Sequence, residues 1–337
     1  MLRFLVIIAV FGVAFVRGGA FAEDTQLAGG GDKIVSVPRC QGAPRCRPSF
    51  IARLDNAPFP IDRNDDGTGK RFFTTTDRDS GARVRINSDG ERYPEPAHYS
   101  DPSVLFHIPR HFDRSKPFRL VVFFHSNDTA LDPGIVNSGL LEQVDASGAN
   151  VILIVPQLAY RADDSHPGKL IRPGGLKRML DEAAGILART LGRDMKPRLE
   201  NAPIVLIAFS GGDVALAAGL REDRKRPEGA GFVSRIEGIV SLDAIFEQEG
   251  HIDAWLKPRE GRVFLVGLYT KISARWTRRL VRSWKSRGMR YRHSLPRRIG
   301  PGSVVLIGVD TEHAAIVDEG PPSDPIAVIL HRLPAPH

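Results

Sequence analysis

Short runs of apolar residues alternate with amphipathic segments over the larger, carboxyl-terminal part of the chain. Runs rich in β-branched and aromatic residues predict strands at 104–109, 119–125, 150–156, 203–209, 236–242, 262–269 and 304–310. Segments with helical character lie between them, at 176–191, 212–220, 251–256 and 273–286. Strands that are apolar throughout and separated by helices indicate a parallel sheet covered on both faces. The pattern therefore predicts an α/β fold with a doubly wound, mostly parallel sheet and helices on both faces.

The amino-terminal segment has a different hydrophobic pattern. Residues 4–16 are apolar or glycine without a charge, Arg3 precedes them, and the small residues Ala20 and Ala22 suit a cleavage site. This layout predicts a cleaved signal peptide over 1–22 and a periplasmic or extracellular protein. An uncleaved anchor is the alternative, but thirteen residues are short for a membrane-spanning helix. We expect an irregular extension over 23–100 and the main domain over 101–337.

The only two cysteines, Cys40 and Cys46, lie six positions apart in the extension. In an exported chain an oxidising compartment favours a disulfide between them, and a metal pair is the weaker alternative because no histidine lies at ligand spacing nearby. Further along, Asp62, Asn64 and Asp66 alternate as in a calcium loop. However, Phe73 stands where an EF-hand needs its glutamate, so a turn is the simpler interpretation.

The composition of the chain excludes several classes of protein. The chain has 337 residues, of which 42% are hydrophobic and 26% charged, with a formal charge of +8. These values exclude a mainly disordered chain and a membrane-embedded body, and they allow a sizeable core. Two cysteines also exclude a four-cysteine zinc site.

One strand runs directly into a serine, two glycines and a helix. The sequence is Ile207-Ala208-Phe209-Ser210-Gly211-Gly212, and a tight strand-to-helix turn of this kind lifts the serine hydroxyl off the sheet edge as a nucleophile elbow. Small residues are needed two positions before and after the serine, where strand and helix backbones nearly touch. Over roughly residues 100–330 the chain resembles the α/β-hydrolase superfamily, although Ala208 replaces the first glycine of the usual Gly-x-Ser-x-Gly motif.

The resemblance also implies an oxyanion hole. In such enzymes the amide after the nucleophile and amides of the loop after an earlier strand hold the developing negative charge. The corresponding positions here are Gly211 and, after the strand that ends at His125, Ser126 or Asn127. The family often has His-Gly where this chain has His125-Ser126, so the sequence does not decide whether Ser126 or Asn127 supplies the amide from this loop. We interpret His125 itself as structural rather than catalytic.

Two further residues complete the resemblance. His313 follows the last predicted strand, where the family places its general base, and Asp243 ends a strand between Ser210 and His313. The order serine, acid, histidine is the one that this superfamily uses. Asp310 is the rival acid, and Asp243 could alternatively be a helix N-cap.

These features predict an exported serine hydrolase that cleaves an ester or amide of a small-molecule or envelope acyl substrate. No cofactor or metal is expected. The alternatives are a non-catalytic binding protein on the same scaffold and an acyltransferase with the same triad.

The stretch Arg275–Arg298 has ten basic residues and no acid. It predicts either an amphipathic surface helix packed on the sheet or a face that binds an anionic envelope surface. Export and the absence of a recognised binding motif argue against nucleic acid. The oligomeric state is not predicted.

Overall fold

The structure is a computed structural model that describes residues 34–36, 49–164, 166–221 and 231–336. The predicted signal peptide and the predicted disulfide between Cys40 and Cys46 lie outside these residues and stay predictions.

The described strands are β1 (Ile34–Ser36), β2 (Ser49–Arg53), β3 (Thr75–Thr76), β4 (Arg83–Ile86), β5 (Arg92–Pro94), β6 (Ser103–His107), β7 (Arg119–Phe124), β8 (Val151–Pro156), β9 (Ile204–Phe209), β10 (Ile236–Leu242), β11 (Phe264–Tyr269) and β12 (Val304–Gly308). The described α-helices are α1 (Glu95–His98), α2 (Leu140–Ala146), α3 (Gly175–Leu191), α4 (Lys196–Asn201), α5 (Asp213–Arg221), α6 (Glu249–Leu256), α7 (Ala274–Ser286) and α8 (Pro325–His331). Across these described ranges, no helix has both the length and the apolar character that crossing a membrane requires.

Nine strands form the main sheet, in the order β1-β2-β6-β8-β7-β9-β10-β11-β12. From β8 to β12 neighbouring strands are parallel, whereas β1, β2 and β6 pair antiparallel. The carboxyl ends of β7, β9, β10, β11 and β12 therefore meet at one edge of the sheet, where the chain reverses into helices.

The sheet is buried on both faces because its central strands are apolar at nearly every position. In β9, Leu206 packs with α3, α5 and α7 on one face, while Val205 and Ile207 pack with α2 and α8 on the other. Because side chains alternate between the two faces of a strand, consecutive Val, Ile and Leu residues supply apolar side chains to the cores on both faces, as a doubly covered parallel sheet requires. The predicted fold class is confirmed.

Part of the region expected to be an irregular extension belongs to the main sheet. Phe50 and Ala52 of β2 point into the core, and the Phe50 ring stacks on Phe106 of β6 with centroids 5.0 Å apart. Five residues between proline-containing segments give too short a period-two pattern to stand out in the sequence. Between β2 and β6, strands β3, β4 and β5 form a small antiparallel sheet.

The calcium-like segment forms turns. The side chain of Asn64 exchanges hydrogen bonds with the backbone of Phe73, and Asp66 accepts bonds from the Thr68 hydroxyl and amide. Asp62 is paired with Arg172. Asp66 thus forms an Asx-type turn, Asn64 bridges the loop and Asp62 forms an ion pair, in line with the simpler interpretation of the sequence.

Candidate active site

Ser210 occupies a sharp turn between β9 and α5. Its φ is +51°, in the left-handed region that a residue with a side chain adopts at a cost, while Phe209 before it is still extended. β9 lies between β7 and β10, so the turn projects from the middle of the sheet edge. This is the nucleophile-elbow geometry that the sequence predicts.

Gly212 explains why the turn needs small residues. A Cβ added there would lie 2.2 Å from the backbone oxygen of Phe124, at the end of the neighbouring strand β7. Ala208, in the position where the family has glycine, is fully buried within β9 and is small enough to fit there.

The structure brings Ser210, His313 and Asp243 into one hydrogen-bonded series. The Nε2 of His313 lies 2.7 Å from the Oγ of Ser210, and its Nδ1 lies 2.7 Å from the Oδ2 of Asp243. The three residues follow β9, β12 and β10, whose carboxyl ends share one sheet edge. Asp310, the rival acid, is exposed, and no described contact joins it to His313.

Asp243 is fully buried and surrounded by donors. Its Oδ1 accepts hydrogen bonds from the Thr270 amide, at 2.9 Å, and from the Ser273 hydroxyl, while its Oδ2 also accepts one from the Thr270 hydroxyl, at 2.5 Å. Burial alone would raise the pKa of Asp243, but the bonds from His313, Ser273 and Thr270 hold the pKa below its ordinary value. The carboxylate is therefore charged and fixed in orientation.

Sequence reasoning missed Thr270 and Ser273. They lie just after β11, the strand that pairs with β10. A pair of hydroxyl residues at that strand end was the only available signal.

Two aromatic rings hold the imidazole of His313. The Phe209 ring packs beside it with centroids 5.3 Å apart, and the Phe246 ring meets it edge-on at 6.4 Å. The side chain of His313 is still 26% exposed, so a substrate can reach it. Packing of this kind fixes the ring between its two hydrogen-bond partners.

The predicted oxyanion-hole positions lie on adjacent strand ends. Phe124 of β7 is in register with Ala208 of β9, so Ser126 and Ser210 each come two residues beyond paired positions. The Ser126 hydroxyl is engaged within its own loop, 3.0 Å from the Thr129 hydroxyl, and the Asn127 side chain donates to Asp163. Their side chains thus shape the loop, and the expected donors are the backbone amides of Gly211 and of Ser126 or Asn127.

His125 is a buried organiser of that loop. Its Nδ1 donates to the Ser126 oxygen at 2.8 Å, and its Nε2 accepts bonds from the Leu158 amide, at 2.9 Å, and from the Gln157 side chain. Burial lowers the pKa of His125 to about 4, so the ring is neutral. Gln157, which sequence reasoning missed, also binds the Leu131 amide and the Thr129 oxygen.

A cavity of about 300 Å³ is lined by residues of the loop after β7, where the oxyanion hole is predicted. Phe209 and Ala314, next in sequence to Ser210 and His313, form part of its wall. The wall combines apolar side chains with the hydroxyl groups of Ser126, Thr129 and Ser138, and its charged lining residues are Asp128, Arg161 and Asp318. A cavity of this size can hold a small organic group.

Asp213, the first residue of α5, gives a pH-dependent prediction. It is 4% exposed, and burial raises the pKa of its carboxyl to about 7, although the Val214 and Phe246 amides donate to it. The folded protein therefore holds this proton more tightly than the unfolded chain, and the stabilisation present below pH 4 is lost as pH rises through about 7.

We expect Asp213→Asn to reduce this loss of stability by up to about 3 kcal/mol between about pH 5 and pH 8. Urea unfolding at both pH values measures it, with the exposed Asp89→Asn as the matched control. An unchanged difference between the two pH values in Asp213→Asn would show that Asp213 is ionised in the folded protein at both.

Neither a protein-family model nor a curated protein sequence matches the chain. Among solved structures, it is similar to a feruloyl esterase module from Clostridium thermocellum, with 9% identity and a TM-score of 0.44 over 76% of this chain and 89% of that one. It is similar to a dienelactone hydrolase from Anabaena variabilis, with 13% identity and a TM-score of 0.37 over 69% and 87%. An uncharacterised protein from Capnocytophaga ochracea gives 11% identity and a TM-score of 0.39, and the chain spans 62% of its length. Because identities and scores are this low, the fold assignment rests on the chain's own strand order and on its elbow.

Proposed function

Starting from a chain with the α/β-hydrolase fold, we propose that it is an exported serine hydrolase that cleaves a carboxylic ester or amide. The observation that carries the proposal is the series of two 2.7 Å contacts from Asp243 through His313 to Ser210. A serine hydroxyl is a weak nucleophile at neutral pH, and an adjacent imidazole oriented by a carboxylate is what activates it.

In the first half-reaction the Ser210 oxygen attacks the acyl carbonyl carbon as its proton passes to the Nε2 of His313. Amides of Gly211 and of the loop after β7 hold the negative charge on the carbonyl oxygen. When the tetrahedral intermediate collapses, the bond to the leaving group breaks and His313 returns the proton to it.

In the second half-reaction a water molecule attacks the acyl-enzyme. His313 takes one proton from the water, and collapse releases the acid while the proton goes back to Ser210. Asp243 stays ionised throughout and stabilises the imidazolium that forms in each half-reaction. Its low pKa, maintained by donors from Thr270 and Ser273, fits this role.

The cavity supports esters or amides of small acyl groups. Its wall includes Phe209 and Ala314, the sequence neighbours of Ser210 and His313, and its apolar side chains suit a short acyl chain. We expect activity on p-nitrophenyl esters to peak at a short acyl chain and to fall once the chain exceeds the cavity.

The direct test is labelling of the purified protein by a fluorophosphonate probe, which reacts with activated serines. We expect wild type to be labelled, Ser210→Ala to lose the label entirely, and His313→Ala to be labelled at least about 100-fold more slowly, because general-base help has this magnitude. The matched control is Ser138→Ala, which removes a hydroxyl from the cavity wall. A folded wild type that takes no label, or a label that persists in Ser210→Ala, would overturn the proposal in favour of a binding scaffold.

A further inference from the structure

α7 presents two opposite faces. Trp276, Leu280 and Trp284 are buried against the core of the sheet, as the amphipathic interpretation of this segment predicts. The solvent side carries Arg275, Arg278, Arg282 and Lys285, spaced three or four residues apart and all exposed. With the exposed Lys271 of the preceding loop they form one row, here called the basic face.

The basic face is largely uncompensated. Arg279, beside it, pairs with Glu249, and Arg287 beyond it pairs with Asp253. Among the residues that the structure describes, no carboxylate forms an ion pair with Arg278, Arg282 or Lys285. The α7 sequence itself contains no acid. A row of cations kept apart from carboxylates creates a local positive potential that attracts an anionic partner.

The basic face begins at the active site. The loop that joins β11 to α7 supplies Thr270 and Ser273, the donors to the triad carboxylate. The Phe246 ring contacts both His313 and Trp276, and the Arg275 guanidinium stacks on Trp276 at 3.7 Å from the ring centre. Arg275, at one end of the basic face, is therefore connected to the His313 imidazole through two aromatic rings, those of Trp276 and Phe246.

An exposed apolar residue lies on the same loop. Ile272 is 46% exposed, one of two large apolar side chains that the described ranges leave exposed, and it lies between Lys271 and α7. An exposed isoleucine adds little to the binding of a water-soluble polyanion. A lipid bilayer can bind both the basic face and Ile272, because cations bind its headgroups while an apolar side chain enters the interface.

We propose that the basic face and Ile272 dock this protein on a bilayer of anionic lipids, with the active-site edge of the sheet turned towards the membrane. The partner is the lipid surface itself, and the docking is peripheral. Through the proposed function, this names the source of the substrate: acyl esters or amides held in the membrane or displayed at its surface. Asp310 and Glu312, exposed on the loop after β12, limit the docking surface to α7 and the loop before it.

The test is co-sedimentation with vesicles of equimolar phosphatidylglycerol and phosphatidylcholine, compared with pure phosphatidylcholine. Each cation near an anionic surface raises partitioning about fivefold, so the triple variant Arg278→Glu/Arg282→Glu/Lys285→Glu should lower it by at least about 100-fold. The matched control, Arg63→Glu/Arg71→Glu/Arg78→Glu, changes net charge equally at exposed positions far along the chain and should bind nearly as wild type. Ile272→Ser should weaken binding a further few-fold, an effect that persists in about 0.5 M salt, where electrostatic attraction is screened.

Three results would overturn the docking proposal: no preference of wild type for anionic vesicles, equal losses in the two triple variants, or soluble polyphosphate binding as tightly as vesicles with no effect of Ile272→Ser. Ser210→Ala should sediment as wild type does. A protein that labels with fluorophosphonate and ignores vesicles would refute the docking alone, whereas one that sediments without labelling would refute the hydrolase proposal alone.

Discussion

Replacing Asp243 with asparagine should lower kcat/KM about 10⁴-fold with the fold retained, because the histidine would then be held in the wrong tautomer. The amide of Thr270 is a fixed donor to Oδ1, so the carbonyl oxygen of the new side chain must stay at that position. Its NH₂ group then faces the Nδ1 of His313, which has to accept rather than donate. The proton moves to Nε2, and the imidazole can no longer take the proton of Ser210.

The matched variant is Asp310→Asn, which changes the rival acid at an exposed position. We expect it to change kcat/KM by less than about threefold, since an exposed carboxylate without a partner contributes little. Both variants are assayed on p-nitrophenyl acetate, with thermal unfolding as the check on folding. A large loss in Asp310→Asn with full activity in Asp243→Asn would transfer the role to Asp310.

Replacing Gly212 with alanine should lower the free energy of unfolding by about 3 kcal/mol or more and abolish serine labelling. The added Cβ would overlap the backbone oxygen of Phe124 at 2.2 Å and its carbonyl carbon at 2.8 Å. Neither side can yield easily, because β7 and β9 are paired with each other in the middle of the sheet. Relief of the overlap must displace the elbow, and with it the hydroxyl of Ser210.

Gly185→Ala is the control for the intrinsic effect of this substitution. Gly185 lies inside α3, and nothing comes within 4 Å of the position of an added Cβ. Alanine there should leave labelling unchanged and stabilise the protein by up to about 1 kcal/mol, as expected for a helix interior. Chemical unfolding of both variants makes the comparison, and a Gly212→Ala protein as stable and reactive as Gly185→Ala would contradict the steric account.

The sequence could predict the sheet, and two of the three residues that the structure brings together at its edge, for one physical reason. A parallel sheet buried on both faces needs uninterrupted apolar strands, so the polar residues that directly follow such strands stand out, as Ser210 and Asp243 do after β9 and β10. His313 comes five residues after the end of β12, and its prediction depended on the resemblance. The residues that orient the triad carry no such signal. Thr270 and Ser273 reach Asp243 across 27 and 30 positions of chain, and Gln157 reaches its loop across a strand crossover. Only the tertiary structure brings these residues together.

The β2 strand was unpredictable for a different reason. It pairs antiparallel with β6 near the edge of the sheet, and its five residues alternate too briefly to show a period. Strands of this kind are specified by their neighbour rather than by their own sequence, as the context dependence of β propensity implies.

In the proposed mechanism, the placement of His313 after β12 determines when during synthesis the protein can first react as a serine hydrolase. Ribosomal synthesis delivers the nucleophile first, the acid next and the base last, and the base arrives with a strand that pairs along its length only with β11. Under the proposed function, a growing chain that lacks His313 has no proton acceptor for Ser210, so we expect it not to attack esters while it is being synthesised. Under the proposed function, the order of the three residues along the chain therefore delays reactivity until His313 has been synthesised.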